Sequence, residues 1–100
     1  MIFDCGEMAI LEQAVDIYGP ESQIRKAIEE MAELTKELCK DGGTGERVDL
    51  IAEEMADVEI MLQQLRVIYR ADRIGLYEER WRAAKLDRLR MRLEKEVTRN

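Results

Sequence analysis

Three glycines fall within four positions of the stretch KDGGTGE, Lys40 to Glu46. A helix cannot hold that density of the residue with the greatest backbone freedom, so the chain must turn there. On either side, apolar residues recur at the three- and four-residue spacing of an amphipathic helix. Ile24, Ile28, Met31, Thr35 and Leu38 predict a helix over about residues 21 to 40. Leu50, Val58, Met61, Leu65 and Ile68 predict another over about 47 to 70, with Ile60 and Val67 off the main stripe, as for a helix that packs on two sides. A short glycine loop between two long helices suggests an antiparallel pair.

The remaining punctuation is equally sharp. Ile10, Leu11, Ala14, Val15 and Tyr18 predict a first helix over about 6 to 18, ended by Gly19-Pro20. Pro20 and Glu21 suit the first turn of the next helix, one by its fixed φ and the other by its charge. RADRIG, Arg70 to Gly75, reads as a short break with Asp72 as a candidate cap. A last helix is expected over about 74 to 97. Its apolar stripe changes side, from Tyr77, Trp81 and Ala84 to Leu86, Leu89, Leu93 and Val97, which suits one half facing its own subunit and the other a partner. Ala, Glu, Leu, Lys, Arg and Met abound, while aromatics are 5% and proline occurs once. These are strong helix formers. The expected fold is all-α, a four-helix bundle-type protomer in a single domain over residues 1–100. Four amphipathic helices of this size expose much apolar surface, so a homodimer or homotetramer is expected.

Charge is unevenly spread. Residues 1 to 65 carry 5 Lys+Arg against 16 Asp+Glu, whereas 66 to 100 carry 11 against 6. The basic tail is interleaved with acids and apolar positions, which suits a solvated face or a partner of the acidic half, and no nucleic acid is expected. Cys5 and Cys39 have no metal-like spacing and no secretory signal precedes them, so two reduced thiols in a cytoplasmic protein are expected. No apolar run approaches the ~18 residues of a membrane span. The chain has no histidine. That excludes His-based catalysis, most zinc sites and the Glu-x-x-His motif of carboxylate di-iron bundles.

One placement needs a reason. In helical projection Glu54 falls on the apolar side of the third helix, between Met61 and Leu65, with Asp57 at its edge. The phrase around it, EEMAD (Glu53 to Asp57), echoes EEMAE (Glu29 to Glu33) 24 residues earlier. Acids three apart, Glu30 with Glu33 and Glu54 with Asp57, project from one helix face. If helices two and three pack antiparallel, four carboxylates surround one small volume. No basic residue lies four positions after Glu30 or Glu33, which weakens ion pairing as the explanation. A carboxylate on an apolar face must be paired, protonated or metal-bound. Four acids without histidine or thiol make a hard-oxygen site suited to Mg²⁺ or Mn²⁺.

These motifs resemble those of the MazG-like all-α nucleoside triphosphate pyrophosphohydrolases, related to dimeric dUTPases and dCTPases. The family signature is E-x-x-E, a spacer, then E-x-x-D, and here twenty residues separate Glu33 from Glu54. GPESQIRKAIEEMAELTKELCK resembles the family's second helix, IAEEMADVEIMLQQL its third, and KLDRL (Lys85 to Leu89) the basic motif of its fourth. The resemblance spans about residues 8 to 93. It implies the all-α NTP pyrophosphatase fold and hydrolysis of a nucleoside triphosphate to the monophosphate and pyrophosphate, clearing unwanted nucleotides. By motif position, Glu30, Glu33, Glu54 and Asp57 would hold Mg²⁺, and Glu29 or Glu53 would act as general base. Lys85 and Arg88, on the Trp81 and Ala84 side of the last helix, and Lys36, one turn after Glu33, are candidate phosphate contacts. Trp81 and Tyr18 could stack on a base, although core packing is the expected role of each. Tyr18 stands where the family leads one to expect tryptophan. The alternative of a different class is a non-catalytic helical interaction or regulatory protein with the same fold.

Overall fold

The computed structural model describes residues 6–99, and Cys5 lies outside them. The described chain is all-helical: α1 (Glu7–Tyr18), α2 (Pro20–Asp41), α3 (Val48–Ile68), a 3₁₀ turn (Arg70–Asp72) and α4 (Ile74–Thr98). Gly19, at φ 86°, makes the corner between α1 and α2, and Pro20 opens α2 as its missing N–H allows. The break before α4 differs from expectation. Asp72 does not cap the helix; Arg73 stands at the cap position in the left-handed region, at φ 61°, and no side chain caps it.

Contacts divide the chain into two units, Met1–Ile68 and Tyr69–Asn100. In the first, α2 packs along α3 and α1 lies against both. Among the described residues, Leu11 and Val15 of α1, Ala27 of α2 and Met61 of α3 are its buried apolar side chains. Gln63 Nε2 also donates to Glu7 Oε2 at 3.1 Å, tying α3 to the start of α1. In the second unit α4 buries no residue. Ion pairs run along its surface, Arg90 to Asp87 at 2.8 Å and to Glu94 at 2.6 Å. No helix among the described residues is long and apolar enough to cross a membrane. Cys39 is a free, exposed thiol.

The seam between α2 and α3 is not the one the apolar pattern suggests. Ile28, Met31 and Leu38, expected to face inward, are exposed. Ile24 of the expected stripe is half-buried, but the covered positions of α2 otherwise follow Gln23, Ala27, Glu30, Leu34, Glu37 and Asp41, which alternate steps of four and three. That is one helix face, and most of it is polar. On α3 the facing positions include Ile51, Glu54, Asp57, Val58, Met61, Gln64 and Leu65, all at least half-buried, whereas Leu50 and Ile60 stay exposed. Val67, the other residue off the main stripe, is half-buried, and α3 packs against both α1 and α2.

The loop is what fixes this seam. α2 runs to Asp41 and ends at Gly42, whose left-handed φ of 58° lets its N–H reach the Leu38 carbonyl at 3.0 Å. Asp41 is buried, and its carboxylate gathers the loop. Oδ2 accepts from the N–H groups of Gly43 and Gly45 at 3.1 and 3.0 Å, and Oδ1 from that of Arg47 at 2.8 Å. Arg47 in turn donates from Nε and a terminal nitrogen to Glu37 Oε2, both at 2.8 Å. The start of α3 is thereby clasped to the last turns of α2.

These bonds hold the Asp41 carboxyl below its ordinary value of 3.8, chiefly through the Arg47 and Gly45 N–H groups. The stability it contributes is complete above that value and is lost as pH falls through the lowered one. We expect Asp41→Ala to lower the melting temperature by at least about 5 °C at pH 7, with Asp41→Asn intermediate. The gap from wild type should shrink in acid, below the ordinary carboxylate range. Thermal melts followed by circular dichroism across pH check both.

Candidate metal centre

Glu30 sits midway along the polar seam of α2. Glu54 and Asp57, three residues apart on α3, project from one face and meet it across the hairpin. One carboxylate oxygen of each lies within 4.8 Å of the other two, and all three residues are half-buried. Lys26, one turn before Glu30, reaches its Oε1 at 3.2 Å and stands 4.0 Å from Glu29 Oε2. One ammonium thus faces three converging carboxylates, leaving an excess of negative charge.

That excess is felt in proton affinity. Burial raises the Glu54 carboxyl above its ordinary 4.5, and the charges of Glu30, Asp57, Glu33 and Glu53 add to it. Burial likewise raises Asp57, followed by a hydrogen bond to Glu30 in which protonated Asp57 is the donor, against a lowering influence from Lys26. Lys26 is raised by its hydrogen bond to Glu30 and by that residue's charge. Glu54 Oε2 is buried with no hydrogen-bond partner. An acceptor left so is costly, and a proton or a cation would satisfy it. The donor set is carboxylate oxygen alone, which fits Mg²⁺ or Mn²⁺ and not a soft metal.

The other expected site residues of the first unit lie outside this close trio. Glu33, the fourth expected carboxylate, is exposed and outside the close group, although its charge reaches Glu54. Glu29 and Glu53 are exposed beside it, Glu53 adding its field to both acids of α3. Lys36 is exposed on α2. Lys85 and Arg88 lie in the second unit on exposed faces of α4, where Lys85 Nζ stands 5.9 Å from the Trp81 ring centroid. Trp81 and Tyr18, expected in the core, are instead 56% and 66% exposed.

Two features escape a reading of the sequence. Ion pairing on α2 is present, because Lys26 precedes Glu30 by four residues and a search for cations after the acids passes over it. A groove of ≈ 670 Å³ also opens across the first unit, lined by Tyr18, Gln23, Lys26, Glu29, Met61 and Gln64 among others. Glutamine carries no distinguishing pattern in sequence, and only its burial here gives it away.

In comparison with known proteins, no family model matches the chain, and no curated protein or solved structure is significantly similar to it.

The two raised carboxyls fix a sign. Each binds its proton more tightly when folded, so the stability they contribute is present below 3.8 to 4.5 and falls as pH rises through the shifted values. We expect Glu54→Gln, without divalent metal, to melt at least about 3 °C above wild type at pH 7.5, with the gap closing by about pH 4. Equal or lower melting at pH 7.5 would mean that the carboxylate is already satisfied.

Proposed function

We propose that this chain is a Mg²⁺-dependent nucleotide pyrophosphohydrolase of the MazG-like all-α kind, converting a (d)NTP to the (d)NMP and pyrophosphate. The observation that carries the reading is the convergence of Glu30, Glu54 and Asp57 with a buried Glu54 oxygen left unpartnered. These three hold Mg²⁺, and Glu33, one turn from Glu30, completes the set from the rim. Bound there, the ion neutralises polyphosphate charge and lowers the pKa of water toward neutrality.

The chain's own residues do the rest. Lys26 orients the Glu30 carboxylate and offsets part of the negative field that would repel a polyphosphate. Glu29 or Glu53, both open to solvent beside the trio, takes the proton of the attacking water. Lys36 provides a cation for the phosphates, and the motif resemblance gives Lys85 and Arg88 the same role. The same reading makes the protein a homodimer or homotetramer. Support comes from the exposed stripe of α2, Ile28, Met31 and Leu38, whose inward place is taken by the polar seam.

A second reading, a non-catalytic helical interaction protein, draws on the exposed apolar side chains of α4, Leu86, Leu89, Leu93 and Val97. The two part company on activity. We expect at least one member of a panel of NTPs and dNTPs to release pyrophosphate with Mg²⁺, and none with EDTA. Glu54→Gln or Asp57→Asn should reduce the rate by more than the roughly 10–100-fold typical of residues that only support a ligand, with the helical fold retained. Absence of release from every member, by folded protein, would favour the interaction reading.

A further inference from the structure

The polar seam of the hairpin has a layer that the metal centre does not use. Seven residues before Glu30 on α2 stands Gln23, and seven after Asp57 on α3 stands Gln64. Because the helices are antiparallel, both steps run the same way, and at 1.5 Å per residue each covers about 10 Å. Both glutamines are buried, at 7% and 6% exposure. Buried amides on facing helices ordinarily satisfy one another or the backbone. Here the Gln64 carbonyl oxygen, Oε1, is buried without any hydrogen-bond partner. Gln64 also lines the ≈ 670 Å³ groove, together with Gln23, Tyr18, Ser22, Arg25 and Lys26.

The chemistry of that groove differs from that of the carboxylate layer. Its deep wall offers neutral amides and the thioether of Met61, and its rim an aromatic ring, that of Tyr18, 66% exposed and open to stacking. Lys26 belongs to both layers, since it lines the groove and bonds Glu30. A ligand reaching from one layer to the other would therefore place anionic groups at the carboxylate end and a flat polar ring among the amides. The unpartnered acceptor calls for a donor, and a nucleobase, the ring of the nucleotide proposed above, is planar and carries N–H on its edge.

We propose that Gln64 is the base-reading residue of this groove, its Oε1 accepting a hydrogen bond from an N–H on the edge of a bound nucleobase that stacks on Tyr18. The proposal rests on the nucleotide reading above, deepens it by assigning the base, and can fail separately. Its energetic signature is a residue whose polarity costs stability in the free chain and is useful only when the ligand is bound. A purely structural glutamine would show the opposite.

The test uses the four deoxynucleosides, without phosphate, in EDTA, so that neither metal nor hydrolysis enters. The full chain is titrated while the side-chain amide resonances of its glutamines are followed by NMR. We expect at least one deoxynucleoside to shift the Gln64 amide saturably, and Gln64→Met, close in volume, to weaken that binding tenfold or more. We also expect Gln64→Met to melt at or above the wild-type temperature, and Tyr18→Ala to weaken the same nucleoside. A Gln64 resonance untouched by all four, binding that survives in Gln64→Met, or a lower melting temperature for that variant would each overturn the proposal. Pyrophosphate release from triphosphates with Mg²⁺ in the face of such results would leave the pyrophosphohydrolase reading standing and remove only the base contact. Selective nucleoside binding without any triphosphate cleavage would do the reverse.

Discussion

The hydrogen bonds of one carboxylate set the geometry on which everything else in the first unit depends. Asp41 ends α2, accepts three N–H groups of the glycine loop and of Arg47, and so determines where α3 begins. Arg47 returns to Glu37 and closes the clasp. With that end of the hairpin fixed, each seven-residue step along α2 has a counterpart on α3. The seam then repeats as polar layers about 10 Å apart: the clasp itself, the carboxylates Glu30, Glu54 and Asp57, and the amides Gln23 and Gln64. A slip of one residue at the loop would rotate these groups by about 100° and disperse all of them.

Such a seam is an expensive way to hold two helices together. Apolar side chains would pack there without leaving the Glu54 and Gln64 oxygens unpartnered. The chain has the means for a conventional seam, because Ile28, Met31 and Leu38 form an apolar stripe, interrupted only by Thr35, next to the polar one. It turns that stripe outward. Sequences that place polar groups inside while apolar ones stay outside depart from local consistency, and such departures concentrate at functional sites and interfaces. The proposed function accounts for both departures, since a cation within the hairpin would satisfy the inner acids and association would cover the outer stripe.

The sequence made the helices legible and their packing only half so. Helical spacing and the Gly19-Pro20 and Gly42–Gly45 interruptions suffice to place α1, α2 and α3 within a residue or two, because they reflect backbone chemistry that no tertiary contact overrides. The inward face of α2 was not legible. Apolar periodicity points to Ile28, Met31 and Leu38, and it reports which face seeks cover, not which neighbour supplies it. Pairing Glu30 with Glu54 and Asp57 could be read from their spacing and the antiparallel loop. The exposure of Glu33 could not, since it shares a helix face with Glu30 in projection but lies one turn further toward the rim. Lys26 was within reach of the i,i+4 rule, applied backward from Glu30. Asp41 and Gln64 owe their importance to burial, which sequence alone does not display.

The central claim is that the three carboxylates form a cation site in which Glu54 and Asp57 hold protons more tightly than ordinary carboxyls. Calorimetric titration of Mn²⁺ into the protein, repeated in buffers of different ionisation enthalpy, tests it most directly, because binding must displace whatever protons Glu54 and Asp57 retain. We expect saturable binding that tightens as pH rises from about 5 to 7, with measurable proton release at the acid end, and loss of both in Glu54→Gln. Binding that is absent, or that is unchanged by pH and by Glu54→Gln, would contradict the account.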